Sequence, residues 1–277
     1  VVITGAAGAL GRAFAVECAA RGWSLFLTDV DDGSLARLSH GLERCYDVRS
    51  AWAPCDLTDA IEREELARRL REARVRPTML INIAGLDFEG ALAERPREAL
   101  LTIVRVNVEA TLDITRTAIE LSDGGAGLRV ITVSSLAAFY PMPLKATYAA
   151  SKRFLLQLSL SLREELRERG GSATALCPAG LPTREDARAA IEAQGLLGSL
   201  TTVDVNRVAA STIRAALAGR AVHIPGLLNR GMRAVGALLP PTLVARMLHA
   251  RWRAARARIA SSGERAAPGL DSPLAVG

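Results

Sequence analysis

A short apolar run, Val1-Val2-Ile3, breaks into a glycine-rich turn from Thr4 to Gly11, and the chain then reads as helix through Arg21. Apolar β-branched residues, then glycines, then a helical period describe a strand that turns sharply into a helix. That order repeats. Strands are expected near 24–28 (ending at Asp29), 51–55 (ending at Asp56), 78–83, 128–134, 172–177 and 221–224. Helices are expected near 33–40, 59–74, 95–121, 146–169 and 203–219, and an irregular or helical loop over 183–202. Strict alternation of this kind predicts an α/β fold with a doubly wound parallel sheet of about seven strands.

The 277 residues, 49% hydrophobic and 23% charged, suffice for one full core. Cys18, Cys45, Cys55 and Cys177 show no CxxC spacing, and His40, His223 and His249 are isolated. Free thiols, no metal site and a cytoplasmic location are therefore expected. No signal peptide is visible, and no apolar run reaches the roughly 18 residues a membrane-spanning helix needs. The net charge of +6 is unevenly placed. From residue 226 onward eight arginines face only Glu264 and Asp271, so residues 1–225 are neutral as a group.

In parallel sheets of this type, ligands sit at the carboxyl ends of the strands. The turn at 5–11 lets the backbone approach a pyrophosphate, whose charge the following helix N-terminus attracts. Asp29 ends the second strand, where a carboxylate can accept hydrogen bonds from both ribose hydroxyls and repel a 2′-phosphate. No base lies inside the turn or directly after Asp29, where Val30, Asp31 and Asp32 follow. This favours NAD over NADP. Among 35 basic residues only Lys145 and Lys152 are lysine. Lys152 follows Tyr148 by four positions, so phenol and ammonium can share one helix face. An ammonium there is expected to lower the phenol's pKa and tune it as a general acid/base.

With these elements in sequence, residues 1–225 resemble a classical short-chain dehydrogenase/reductase, and so a Rossmann fold. The family's Thr-Gly-x-x-x-[Gly/Ala]-x-Gly turn stands here as Thr4 to Gly11, with Ala9 in place of the middle glycine. The adenine-side pair is Asp56-Leu57, and the Asn-Asn-Ala-Gly element appears as Asn82-Ile83-Ala84-Gly85. The resemblance implies four catalytic residues. Tyr148 exchanges a proton with the substrate oxygen. Lys152 lowers the tyrosine pKa and holds the nicotinamide ribose. Ser135, thirteen residues before Tyr148, hydrogen-bonds the carbonyl or alcohol; Ser134 is left to strand-end packing. Asn107 supports a water that links Lys152 to solvent. Cofactor contacts are implied for Gly5, Ala9, Leu10, Gly11, Asp29, Asp56, Leu57, Asn82, Ala84, Gly85, Tyr148, Lys152, Pro178, Gly180, Leu181 and Thr183. Ala179 and Pro182 depart from the usual Pro-Gly-x-x-x-Thr pattern in the last of these segments.

The implied activity is NAD-dependent interconversion of a secondary alcohol and a carbonyl. A pocket wall containing Phe139, Tyr140, Met142 and Leu144 favours a hydrophobic small-molecule substrate. Leu86–Glu89, Ala179, Gly180 and the 184–202 loop are expected to complete that pocket, with Asp87 and Glu89 solvated at its rim. The alternative from another class is a catalytically weak cofactor-binding scaffold or regulator; the intact Ser135, Tyr148, Lys152 and Asn107 set argues against it. A homodimer or homotetramer is expected, and nucleic-acid binding is not. Residues 226–262 read as a basic amphipathic helical extension, and 263–277 as a tail. Val244, Met247, Leu248, Trp252, Ala255 and Ile259 fall on one face of that extension, opposite Arg246, His249, Arg253 and Arg256. Docking of this face on the protein is favoured over peripheral membrane contact through 241–262.

Overall fold

The computed structural model describes residues 1–122, 127–180, 203–261 and 274–275, with backbone alone from residue 254 onward. Seven parallel strands form the central sheet, in the order β3-β2-β1-β4-β6-β7-β8. They are β1 (Val2–Thr4), β2 (Leu25–Asp29), β3 (Ser50–Pro54), β4 (Met79–Asn82), β6 (Arg129–Val133), β7 (Ser172–Leu176) and β8 (Val222–His223). Beside the sheet, β5 (Leu86–Asp87) pairs antiparallel with β9 (Leu274–Ala275). The 263–277 segment was expected as a plain tail, so this two-residue ladder is an addition.

Consecutive strand residues point to opposite faces. Ile3, Leu27, Ile81 and Ile131 pack with α1 (Ala9–Ala19), α2 (Asp32–Tyr46) and α7 (Val205–Leu217). Their neighbours Val2, Phe26, Leu80 and Val130 pack on the other side with α3 (Ala60–Glu72), α5 (Thr111–Leu121) and α6 (Ala146–Arg167). Both faces are covered, which is why the central strands read as unbroken apolar runs. Helix starts follow local chemistry: Asp31 caps α2 by accepting from the Ser34 N–H, and Asp59 caps α3.

One expected helix is interrupted. In place of a single run over 95–121, α4 (Arg97–Val104) passes through a π-helical stretch, Arg105–Ala110, into α5. Asn107 lies in that wide turn, fully buried. The chain order reverses between β1 and β4: β2 and β3 build outward from one side, β6 to β8 from the other. This switch opens a crevice at the strands' carboxyl ends.

The extension forms α8 (Leu227–Gly236) and α9 (Pro241–Ser261). It docks on the segment after β6. The Tyr140 hydroxyl donates to the Met232 carbonyl at 2.8 Å, and the Arg233 guanidinium lies 5.1 Å from the Phe139 ring centre. A side chain at Gly236 would collide with the Tyr140 ring. Val244, Leu248 and Trp252 are half-buried, but Met247 of the expected stripe faces solvent, as do Leu227, Val235 and Leu238. The side chains of Ala255, Arg256 and Ile259 lie outside the described residues.

Candidate active site

The crevice has two halves. On the first, Gly5 takes a left-handed φ of +68°, and a Cβ there would meet the Ala84 backbone nitrogen at 2.7 Å. A Cβ on Gly11 would sit 2.0 Å from the Gly5 carbonyl oxygen. The start of α1 is thus pressed against the turn. No acidic residue occupies its first turn and no side chain caps it, so its N–H groups are left for an anion. Leu10 is buried beneath the turn, beside Ala9. The Asp29 carboxylate accepts from the Ala7 N–H at 3.0 Å and the Val30 N–H at 2.8 Å, tying the end of β2 to the turn. Asp56 holds its own turn by accepting from Thr58 N–H and hydroxyl, and Leu57 is buried beside it.

Arg12, absent from the expectations above, folds back on this turn: its guanidinium donates to the Ala7 carbonyl at 2.6 Å. Arg12 is the first residue beyond Gly11, and bears on the choice between the two nicotinamide cofactors.

The floor of the crevice is β4 and the turn after it. Thr4 Oγ1 accepts from the Ile83 and Ala84 N–H groups, so β1 holds that turn. Asn82 donates to Thr115 from inside the core, while its Oδ1 has no hydrogen-bond partner among the described residues. A Cβ on Gly85 would lie 3.0 Å from Lys152 Nζ and 3.2 Å from Asn107 Oδ1. Glycine therefore permits the backbone to lie against Lys152 and Asn107.

The second half gathers Ser135, Tyr148, Lys152 and Asn107. Asn107 accepts from the Leu86 N–H at 2.8 Å, donates to the Leu86 carbonyl at 3.0 Å, and donates to Ser151 Oγ at 2.9 Å. The π-helical turn presents it to β5 and to α6. Lys152 is completely buried, and its ammonium donates to the Val133 carbonyl at 2.9 Å and lies 5.7 Å from the Tyr148 ring centre. Ser134 donates to the Lys152 carbonyl, which matches its assignment to packing. Ser135 caps the turn after β6 by accepting from the Ala137 N–H, within hydrogen-bonding reach of the Tyr148 phenol. The Pro178 carbonyl accepts from the Leu136 N–H and fixes the loop after β7 beside this turn, with Gly180 at its end. Leu181, Thr183 and the 184–202 loop lie outside the described residues.

Burial governs the charges here. It pushes the Lys152 ammonium down to about 8. It pushes the Tyr148 phenol above its ordinary value, and Asp87 adds to that; the Ser135 hydrogen bond works in the opposite direction. The lowered phenol expected from Lys152 is therefore not what this pocket shows: desolvation raises it, and Ser135 offsets only part of that rise. Cys177, at the end of β7, is held neutral by burial and pushed up to about 12, so it acts as packing.

Asp87 is the clearest correction. Expected as a solvated rim residue, it is 8% exposed and accepts from Lys145 Nζ at 2.5 Å. The same ammonium lies 5.8 Å from the Tyr148 ring centre and 5.7 Å from that of Trp252 on α9. Both lysines of the chain therefore meet at one tyrosine. The scarcity of lysine in the sequence marks both residues.

The short chain dehydrogenase family model matches residues 1–193, which cover both halves of the crevice. The chain belongs to this family of oxidoreductases acting on alcohol and carbonyl groups. It is 33% identical over 184 residues to the protein named sulfoacetaldehyde reductase 2 from Chromohalobacter salexigens, covering 64% of this chain and 71% of that one. It spans about half the length of several other curated relatives it matches. Among solved structures, a short-chain dehydrogenase/reductase from Burkholderia phymatum in complex with NAD superposes with a TM-score of 0.74 at 25% identity, covering 87% of this chain and 95% of that one. A short-chain dehydrogenase from Sphingobium yanoikuyae in complex with NADPH gives 0.73 at 24% identity, covering 96% of each. The bound cofactors of these neighbours differ.

Proposed function

We propose that the protein interconverts a secondary alcohol and a carbonyl with a nicotinamide cofactor, NAD in preference to NADP, and that Tyr148 is the general acid/base. The observation that carries this reading is the convergence of Tyr148, Lys152, Ser135 and Asn107 beside a backbone surface made of glycines. The residues fit a dinucleotide: a Cβ at Gly5 or Gly11 would collide with the chain's own backbone, so glycine lets the uncapped start of α1 lie against the turn, where its N–H groups can meet a pyrophosphate. The turn and the start of α1 would hold the pyrophosphate, Asp29 the adenosine ribose, Asp56 and Leu57 the adenine side, and Lys152 with Gly85 the nicotinamide side. When bound, the nicotinamide supplies the hydride acceptor for oxidation or the donor for reduction.

This chain's own residues manage the proton. Burial keeps Tyr148 as a phenol at neutral pH, the state that donates to a carbonyl oxygen. In the opposite direction the phenolate takes the alcohol proton. Ser135 hydrogen-bonds the reacting oxygen, and Lys152 supplies positive charge as the phenolate forms. Asn107 braces the Leu86 backbone and Ser151, keeping β5 and α6 in register around the pair. The apolar segment before Tyr148, with Phe139, Met142 and Leu144, favours a largely hydrophobic substrate. The names of the relatives, reductases of sulfoacetaldehyde and of very-long-chain 3-oxoacyl-CoA, are in line with carbonyl reduction.

The test is a panel of alcohols and ketones with NAD(H) and NADP(H), followed by absorbance of the reduced nicotinamide, for wild type and Tyr148→Phe. Turnover should fall by about 10² to 10⁴ in the variant while cofactor affinity is kept. A variant that retains wild-type kcat on any good substrate removes Tyr148 from the mechanism.

A further inference from the structure

We propose that Lys145 is a positioning residue whose ammonium cancels the charge of Asp87 beside Tyr148, and so sets the pH at which the acid/base tyrosine titrates. The inference rests on the oxidoreductase reading above and adds a residue that the family resemblance did not supply.

Three observations carry it. Asp87 and Lys145 form an ion pair at 2.5 Å with only 12% and 16% of their side chains exposed. Water screens such a pair far less than a surface one. Asp87 Oδ1 has no hydrogen-bond partner among the described residues, so Lys145 is the cation that directly contacts this carboxylate, while Lys152 acts on it without such a contact. Lys145 also lies 5.8 Å from the Tyr148 ring centre, on the residue that precedes the first turn of α6. Pair and phenol thus form one electrostatic unit.

The groups facing Tyr148 come from every surrounding element. They are Lys152 on its own helix, Lys145 ahead of that helix, Asp87 on β5, Ser135 after β6 and Cys177 after β7. The thiol is neutral and Ser135 carries no charge. Asp87 is therefore the one negative group near the phenol among the described residues, and it opposes phenolate formation. Lys145 offsets it. Trp252, 5.7 Å from the same ammonium, covers the pair from α9 and gives Lys145 a second reason to remain in place.

The sign follows directly. Without Lys145, Asp87 loses its direct counter-charge and opposes the phenolate more strongly, so phenolate forms only at higher pH. Without Asp87, phenolate forms at lower pH. The experiment measures kcat/KM for alcohol oxidation against pH in wild type, Lys145→Met, Lys145→Arg, Asp87→Asn and the double variant Asp87→Asn/Lys145→Met. In Lys145→Met the apparent pKa should rise by about one unit, lowering activity near neutral pH roughly tenfold and recovering it at alkaline pH. Asp87→Asn should move the other way. The double variant should return to within a few tenths of a unit of wild type, and Lys145→Arg, which keeps the charge, should stay close to it.

A merely structural role would lower stability in the single variants without this ordered shift, and without rescue in the double one. Coincident profiles for wild type, Lys145→Met and Asp87→Asn overturn the inference. Should Lys145→Met not fold, the opposite shift in Asp87→Asn decides alone. A wild type that turns over nothing in the panel is a failure of the oxidoreductase reading instead. Lys145 is then decided by phenolate absorbance, isolated by subtracting each variant's Tyr148→Phe counterpart: onset at lowest pH for Asp87→Asn and highest for Lys145→Met supports it, and a common onset overturns it.

Discussion

The two halves of the crevice are built by different means. On the turn side, recognition rests on backbone: glycines that admit close approach, helix N–H groups, and carboxylates hydrogen-bonded to residues near the same strand ends. On the tyrosine side, side chains are brought together across long stretches of chain. Asp87 meets Lys145 across 58 residues, Tyr140 meets Met232 across 92, and Trp252 joins from the extension. A backbone surface tolerates change where no Cβ intrudes and fails abruptly where one does. Around the reacting tyrosine itself, the supporting side chains degrade gradually, because each has neighbours that partly compensate.

Outside the catalytic residues, Gly11→Ala should produce the largest effect, and it breaks the turn side outright. The new Cβ would lie 2.0 Å from the Gly5 carbonyl oxygen and 2.7 Å from the Ala6 Cα, both backbone atoms. The start of α1 must move away from the turn. Overpacking of this kind costs about 1–3 kcal/mol, or roughly 2–10 °C in Tm for a chain of this size. Cofactor affinity should fall about a hundredfold or more, since a helix end displaced by an ångström no longer points its N–H groups at the pyrophosphate. Calorimetry with NAD and a melting curve measure both. Unchanged affinity would mean that this surface does not receive the cofactor.

Asp29→Ala should give an intermediate effect and sharpen the distinction between the halves. The carboxylate braces the Ala7 N–H, so both cofactors should bind less well, but NAD should lose more, about tenfold, because the ribose diol loses its acceptor. The NAD-to-NADP ratio of kcat/KM should narrow. The alkaline shift expected for Lys145→Met should be absent, because Asp29 belongs to the other half. A wild type that prefers NADP would overturn this role for Asp29 and direct attention to Arg12, which donates to the same turn.

The contrast also explains what could be read from the chain before its structure. Strand positions, most helix positions and the turn are encoded by residues close in sequence: short apolar runs, helical periods, and Gly5 and Gly11. Tyr148 and Lys152 share one helix, so their proximity follows from period alone. Asn107 could be placed on a helix, but the π-helical turn that directs it toward Leu86 and Ser151 depends on tertiary hydrogen bonds. Asp87 was misjudged because an acidic residue in a loop is usually solvated. Its burial follows from a lysine 58 positions away, a pairing that no local pattern encodes. The phenol's pKa was misjudged because the helical spacing of Lys152 carries no information about desolvation.

Trp252→Ala should give the smallest effect and tests whether the extension belongs to the tyrosine side at all. Trp252 is half-buried on α9, with its ring 5.7 Å from the Lys145 ammonium. Losing a cation–π contact of this kind costs about 0.5–1 kcal/mol. If the ring helps to hold Lys145 over Tyr148, kcat/KM should fall about two- to fivefold. The pH profile should also move slightly in the direction expected for Lys145→Met, as solvent gains access to the pair. Cofactor affinity should be unchanged, since the turn lies in the other half. A profile identical to wild type would confine α9 to a covering role. Weaker NAD binding in this variant would break the comparison itself, because the two halves would then be energetically coupled through a residue that touches only one of them.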